Sequence, residues 1–213
     1  LDSCTSYGTQ LFWPFTDARV SWDIISIVDP LFTIPLLVGV IASARSSRVV
    51  YARGAALWAL VYLGIGVIQH ERAMSVASAV AVQRGHTAER LTVKPSFANL
   101  LVWKAIYLDD AEYYVDAVRV GPKPTWCFGQ RIRQLDIQSD LPGLRKDSQQ
   151  YLDLQRFLWF SDGYLAMDEN STRIIDMRYS YVPNEIDGMW GIDLDLNAQS
   201  QHVKWWSNRN ISS

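Results

Sequence analysis

Cysteine and histidine are scarce in this chain: two cysteines, Cys4 and Cys127, and three histidines, His70, His86 and His202, among 213 residues. Two cysteines without a C-x-x-C spacing exclude a disulfide-built scaffold and a dithiol metal or redox motif, leaving one bridge or none. No two histidines stand at i,i+4, so a His-rich zinc site cannot be assembled by spacing alone. H-E-x-x-H, G-x-S-x-G, a P-loop and a Rossmann glycine fingerprint are all missing, which removes the commonest hydrolase and nucleotide-binding signatures. No Lys/Arg block interrupts a net charge of −2, and this argues against nucleic acid as a partner. The opening residues have neither a basic start nor a long apolar run, so no signal peptide is visible, and the absence of an initial Met leads us to expect a fragment or processed chain.

Aliphatic residues, in contrast, are concentrated between Ile24 and Ile68. The run IISIVDPLFTIPLLVGVIASA, beginning at Ile24, carries one charge, Asp29, and is near the ~20 residues needed to cross a bilayer. A second run, Val49 to Ile68, is interrupted only by Arg53. Together they predict a helical hairpin in or on a membrane. Arg45, Arg48 and Arg53 lie around the connection with no acid between them, which places it in the cytoplasm by the positive-inside rule and both flanks on the other side. The two prolines and the aspartate leave a second possibility, a hairpin buried in a soluble protein. Asp29 also has two readings. An ionisable group in an apolar segment is a functional candidate, here a metal ligand, but Asp29-Pro30 is equally a helix start with Asp as N-cap and Pro at the first helical position. Pro35 then falls one turn in, where a bend is expected.

Beyond Ile68 the helical pattern continues to about Arg84, with Gly85 as the stop. Leu100 to Leu108 and Tyr113 to Val120 predict a β-hairpin around the four-residue loop 109–112, and residues 121–146 an irregular excursion. Asp147 is expected to cap a helix bearing Tyr151, Leu154, Phe157 and Leu158, ended by Asp162-Gly163. Ile175 to Tyr181 alternates as a half-buried strand with Asp176 and Arg178 on its wet face, and Ile192 to Leu196 forms another in which Asp193 and Asp195 share the solvent face. These two carboxylates could bind a cation, but solvated strand charges account for them more simply. Asn170-Ser171-Thr172 and Asn210-Ile211-Ser212 match the glycosylation triplet, a short and weak motif. The fold class expected is α+β: a membrane-associated helical part over residues 1–69, followed by a small α+β domain with a mainly antiparallel sheet over residues 70–213.

The amino terminus adds a family resemblance. Asp2-Ser3-Cys4-Thr5-Ser6-Tyr7-Gly8-Thr9, Trp13-Pro14-Phe15-Thr16 with Arg19, and Ile27-Val28-Asp29-Pro30-Leu31-Phe32-Thr33 with Pro35-Leu36 resemble the membrane-bound metal-dependent hydrolases of bacteria, the YdjM-like inner-membrane family. Arg84-Gly85-His86, Asn99 to Lys104 and Trp159-Phe160-Ser161 look like longer members of that group. The resemblance implies a hydrolase of the bacterial inner membrane that uses a divalent cation such as zinc to activate water, with the bilayer as partner and the carboxy-terminal domain extracytoplasmic. It also implies that the chain is an amino-terminally truncated member, with Asp2 as a metal ligand and the family's histidines upstream of Leu1. Thr5 and Ser6 would offer hydroxyls to substrate, Gly8 a close backbone approach, and Arg19 a guanidinium for substrate or lipid phosphate, or for pairing with Asp17 or Asp23; turn and capping roles explain Thr5, Ser6 and Gly8 without chemistry. Phe12-Trp13-Pro14-Phe15 suits the bilayer interface. No catalytic residue and no substrate are identified. The alternative is a non-enzymatic membrane protein whose carboxy-terminal domain binds a partner or senses envelope conditions.

Overall fold

A computed structural model describes residues 2–6, 8–168 and 172–208, so the asparagines of both glycosylation triplets lie outside the described residues. Two helices come first, α1 over Pro30–Ser46 and α2 over Val49–Gln83. Asp29 is the N-cap of α1, its Oδ1 accepting from the Phe32 N–H at 3.2 Å, with Pro30 at the first helical position. The capping reading is therefore what the structure shows. Pro35 lies inside α1 and removes the N–H that would have bonded to the Leu31 carbonyl. The Trp58 indole N–H of α2 donates to that carbonyl at 3.0 Å, so the helix passes through the proline with its exposed acceptor satisfied. At Gly39 the two helices come close together: a Cβ there would stand 2.5 Å from the Cβ of Ala55. Gly85, at φ +81°, follows the end of α2 as expected from the sequence.

The apolar side chains of the hairpin are not a protein core. Leu31, Ile34, Leu37 and Val38 on α1, and Leu57, Leu60, Val61 and Ile68 on α2, are exposed. A hairpin buried within the chain would enclose them, and the described residues do not. Among the described residues α2 is the one helix long and apolar enough to cross a membrane, and α1 is a shorter apolar helix.

Contacts divide the chain into two units: Leu1–His86 with Leu91–Ala105 and Ala117–Cys127, and Thr87–Arg90 with Ile106–Asp116 and Phe128–Ser213. Strands β1 (Arg90–Pro95), β2 (Val102–Asp109), β3 (Glu112–Arg119) and β4 (Thr125–Cys127) are neighbours in that order, and β5 (Arg131–Arg133) also pairs with β3. In the first unit the carboxy-terminal part of α2 packs small residues, Ala73 and Ala77, against Val93, Trp103, Ala105, Val118 and Val120. Small side chains let the helix backbone approach the strands closely. Gln69 fastens the helix there, its amide donating to the carbonyls of Leu100 and Val120 at 3.2 and 3.0 Å.

In the second unit β6 (Leu165–Met167), β7 (Arg173–Asp176), β8 (Trp190–Asp193) and β9 (Lys204–Ser207) form an antiparallel sheet in sequence order. Helix α3 is a single turn, Ile137–Asp140, and α4 spans Gln149–Phe160. Leu154 and Phe157 of α4 bury against Leu165, Ile174 and Ile192, while Leu152 and Trp159 stay exposed. The expected α+β class with mainly antiparallel pairing is borne out.

Several local expectations change. The β2–β3 turn has two residues, not four, because Asp110 and Ala111 both adopt positive φ, at 48° and 60°, the conformation that matches the twist of a tight hairpin. The excursion 121–146 contains β4, β5 and α3. Ser148, not Asp147, caps α4, its Oγ accepting from the Tyr151 N–H at 3.2 Å. The strand expected over Ile175 to Tyr181 ends at Asp176, and neither Asp176 nor Arg178 is wet. Their side chains are 0% and 5% exposed and paired at 2.7 Å. Strands β1, β6 and β9 were not expected.

Candidate functional site

The residues singled out at the amino terminus form a compact turn at the base of the hairpin. A single 3₁₀ turn, Asp2–Cys4, begins it. The segment then folds back on itself: Thr9 and Val20 exchange both backbone hydrogen bonds at 2.9 Å, the Trp22 N–H donates to the Ser3 carbonyl, and the Ile24 N–H to that of Cys4. Cys4, Ile24 and Ile25 pack with Phe32, Tyr62 and Leu100, which fixes the turn to both helices. The turn is thus anchored by backbone pairing and an apolar cluster.

On this base the Asp2 carboxylate is exposed, and its Oδ2 accepts from the Thr9 hydroxyl at 2.9 Å. Thr5 donates its hydroxyl to the Asp2 carbonyl at 2.7 Å, a local turn bond. Ser6 is buried. Gly8 has φ +74°, which explains the glycine, and its carbonyl accepts from the Arg19 guanidinium at 3.2 Å. Asp29 lies apart from these residues, buried between the helices: besides capping α1 it accepts from the Tyr62 hydroxyl at 2.8 Å through Oδ2. The structure therefore groups Asp2, Thr5, Gly8 and Arg19 in one turn and leaves Asp29 in the helix interface. No group of three His, Cys, Asp or Glu side chains able to hold a metal occurs among the described residues, Asp193 and Asp195 included. Asp193 is paired with Arg173 across the β7–β8 strands at 2.7 Å, and Asp195 accepts from the Asn197 N–H in a local turn. Cys4 is buried, Cys127 is exposed, and they form no disulfide.

Two polar centres escaped the sequence reading. In the first unit, Lys94 of β1 donates to both carboxylate oxygens of Asp23 at 2.8 Å, and Ser21 donates to the same carboxylate at 2.7 Å. The pair is nearly buried, with side chains 9% and 11% exposed, and Asp23 sits at φ 53°. Its partners are 71 positions apart, and spacing gives no hint of such a contact. Beside it, Ser21, Trp22, Asp23 and Ile24 from the folded-back segment, Val67, His70, Glu71 and Met74 from α2, and Thr92 from β1 enclose a cavity of 470 Å³. The positions 67, 70, 71 and 74 follow helical periodicity and could have suggested one polar-apolar face.

The second centre lies in the carboxy-terminal unit. A cavity of 350 Å³ is lined by Asp168, Glu185, Asp187, Arg173 and Trp206 among others. Arg173 stacks over Trp206 at 4.2 Å while bonded to Asp193, and that bond holds its guanidinium above the ordinary arginine range. Elsewhere in the unit, burial tends to raise the Asp153 carboxyl, but hydrogen bonds from His202, Gln149 and the Val203 N–H hold it below the usual carboxylate value. Burial pushes the Tyr113 phenol up to about 12; its hydroxyl donates to the Gly163 carbonyl at 2.9 Å.

Neither a curated protein nor a solved structure matches the chain. A family model does, over residues 1–73, and its description is the YdjM inner membrane protein. The matched span contains the amino-terminal turn, α1 and the apolar part of α2; the resemblances at residues 84–86, 99–104 and 159–161 lie outside it. An inner-membrane family match on the span that exposes apolar helices gives the placement in a lipid bilayer a sequence and a structural basis together. Over residues 1–73 the chain is YdjM-like, similar to a family of inner membrane proteins, as its opening residues led us to expect.

Proposed function

We propose that this membrane protein contributes to a metal-dependent hydrolase site at the membrane face, with Asp2 as one ligand of a divalent cation. The observation that supports it is exposed Asp2, its carboxylate oriented by Thr9 on a turn anchored to the hairpin. An oriented carboxylate on a rigid base is a good oxygen ligand, because little ordering remains when the cation binds. The described residues do not complete a coordination shell, so further ligands have to come from outside them. Such a cation, when bound, lowers the pKa of coordinated water and generates the nucleophile for hydrolysis. Thr5, Gly8 and Arg19 shape and brace the turn around Asp2. Metal content of the protein purified from membranes tests the assignment: Asp2→Asn is expected to lower occupancy at least severalfold, and unchanged stoichiometry in a folded variant removes Asp2 as a ligand.

The orientation belongs to the same proposal. Arg45, Arg48 and Arg53 at the hairpin connection favour a cytoplasmic loop, with the strands on the far side of the inner membrane. Exposed Cys127 then reacts with a membrane-impermeant maleimide added from the periplasmic side, and labelling only after inner-membrane lysis reverses the orientation. A second reading, partner binding by the carboxy-terminal part, is favoured by the acid-rich cavity around Asp168, Glu185 and Asp187 and takes precedence if metal is not bound.

A further inference from the structure

The 470 Å³ cavity of the first unit is amphiphilic, and its position on α2 says what it can hold. Asp23 does not give the cavity a net charge, because Lys94 meets it through both oxygens. The remaining acid, Glu71, is different. Its side chain is 75% exposed at the rim, 3.6 Å from Nδ1 of His70, and no Lys or Arg among the described residues lines the cavity. Ile24, Val67 and Met74 supply apolar walls, and exposed Trp22 stands beside them. An indole with apolar walls and one carboxylate suits a ligand that carries a positive group on an apolar body.

The same face of α2 leads toward the lipid-exposed half of the helix. One and two turns before Val67 come Gly64 and Leu60. Leu60 is exposed, and a Cβ at Gly64 would meet nothing within 4 Å, so α2 is uncovered at both positions, on the apolar side of the cavity residue Val67. Gly66, on another face of α2, is packed against the backbone of Ile24, a residue that lines the cavity. The cavity begins where the apolar run of α2 gives way to Gln69, His70, Glu71 and Arg72, the level at which lipid headgroups meet a spanning helix.

The geometry points to a lipid-binding site: the cavity receives the ammonium headgroup of an aminophospholipid at Glu71, and one acyl chain lies over Gly64 along α2. The site uses the membrane placement of the hairpin but neither Asp2 nor a metal, so loss of the metal reading leaves it standing. The headgroup's charge selects among lipids, since an anionic glycerol headgroup offers Glu71 no counter-charge.

The test is native mass spectrometry of the full chain, extracted in mild detergent and equilibrated with equal amounts of phosphatidylethanolamine and phosphatidylglycerol of matched chains. The wild type is expected to retain phosphatidylethanolamine over phosphatidylglycerol by about fivefold, the scale of one partly screened ion pair. Glu71→Gln, an exposed substitution, should equalise the two, and Gly64→Leu should lower retention of both by occupying the open surface where the acyl chain is proposed to lie. Equal retention by the wild type, or an undiminished preference in Glu71→Gln, overturns the proposal. Displacement by water-soluble glycerophosphoethanolamine as effective as by the lipid would overturn the lipid as occupant and leave a soluble amine in its place.

Discussion

The hairpin and the carboxy-terminal unit handle the same chemical problem in opposite ways. Helices α1 and α2 turn Leu, Val and Ile outward along most of their apolar length, whereas α4 buries Leu154 and Phe157 and turns Arg156 to solvent. Their buried ion pairs differ as well. Asp176 and Arg178 are two residues apart on one segment, almost completely enclosed, with the arginine also donating to the Phe160 carbonyl. Asp23 and Lys94 come from segments 71 positions apart and keep about a tenth of their surface. In both, every charge has a partner of opposite sign, and the Asp176 pair is local where the Asp23 pair ties the amino-terminal segment to a strand. The contrast shows that the outward apolar residues of the hairpin suit lipid, and that charge is buried in this chain where an opposite charge meets it, from two residues away or from a distant segment.

The comparison is broken most sharply at the two ion pairs. Arg178→Met leaves Asp176 buried without its cation and is expected to cost about 3–5 kcal/mol, read as a fall in denaturant midpoint of the detergent-solubilised chain. Lys94→Met should cost less, about 2–3 kcal/mol, because Asp23 retains Ser21 and some solvent. An equal or reversed order would mean that the tie between distant segments, not enclosure, sets the dependence. Tyr113 supplies a pH arm in the carboxy-terminal unit. Its folded pKa, about 12, stands above the ordinary 10, so the folded state holds the proton more tightly. The resulting stability is complete below pH 10 and is lost as pH rises through 12. Unfolding followed between pH 9 and about 12 should show this alkaline decline, reduced in Tyr113→Phe; an identical decline in the variant refutes the assignment. The smallest effect belongs to the hairpin. Trp58→Phe leaves the Leu31 carbonyl, freed by Pro35, without its indole donor and should lower the thermal midpoint by a few degrees, roughly 1 kcal/mol, whereas the same substitution combined with Pro35→Ala should recover most of that loss.

Much of the helical half could be read directly. Asp29-Pro30 as a cap, the long run of α2 and the stop at Gly85 are local signals, and each appears where expected because capping and helix termination depend on neighbours within one turn. The β elements were read less well. Residues 175–181 alternate on paper, but the chain leaves the strand after Asp176, and burying an aspartate and an arginine is possible only because the two neutralise each other and Trp190 and Phe160 close around them. Periodicity assigns such charges to solvent, since it has no access to a partner's position.

For the candidate site the division is the same. From the order of residues alone came the apolar hairpin, the polar turn at its base and the resemblance that singles out Asp2, all features carried by composition and short-range spacing. Tertiary structure decided that Thr9 orients Asp2, that Asp29 is engaged by Phe32 and Tyr62, that Lys94 meets Asp23, and that α2, β1 and the folded-back segment enclose the cavity beside Glu71. Those contacts join segments distant in the chain, and only the closing of the long loops between them by apolar packing brings their polar groups within hydrogen-bond reach.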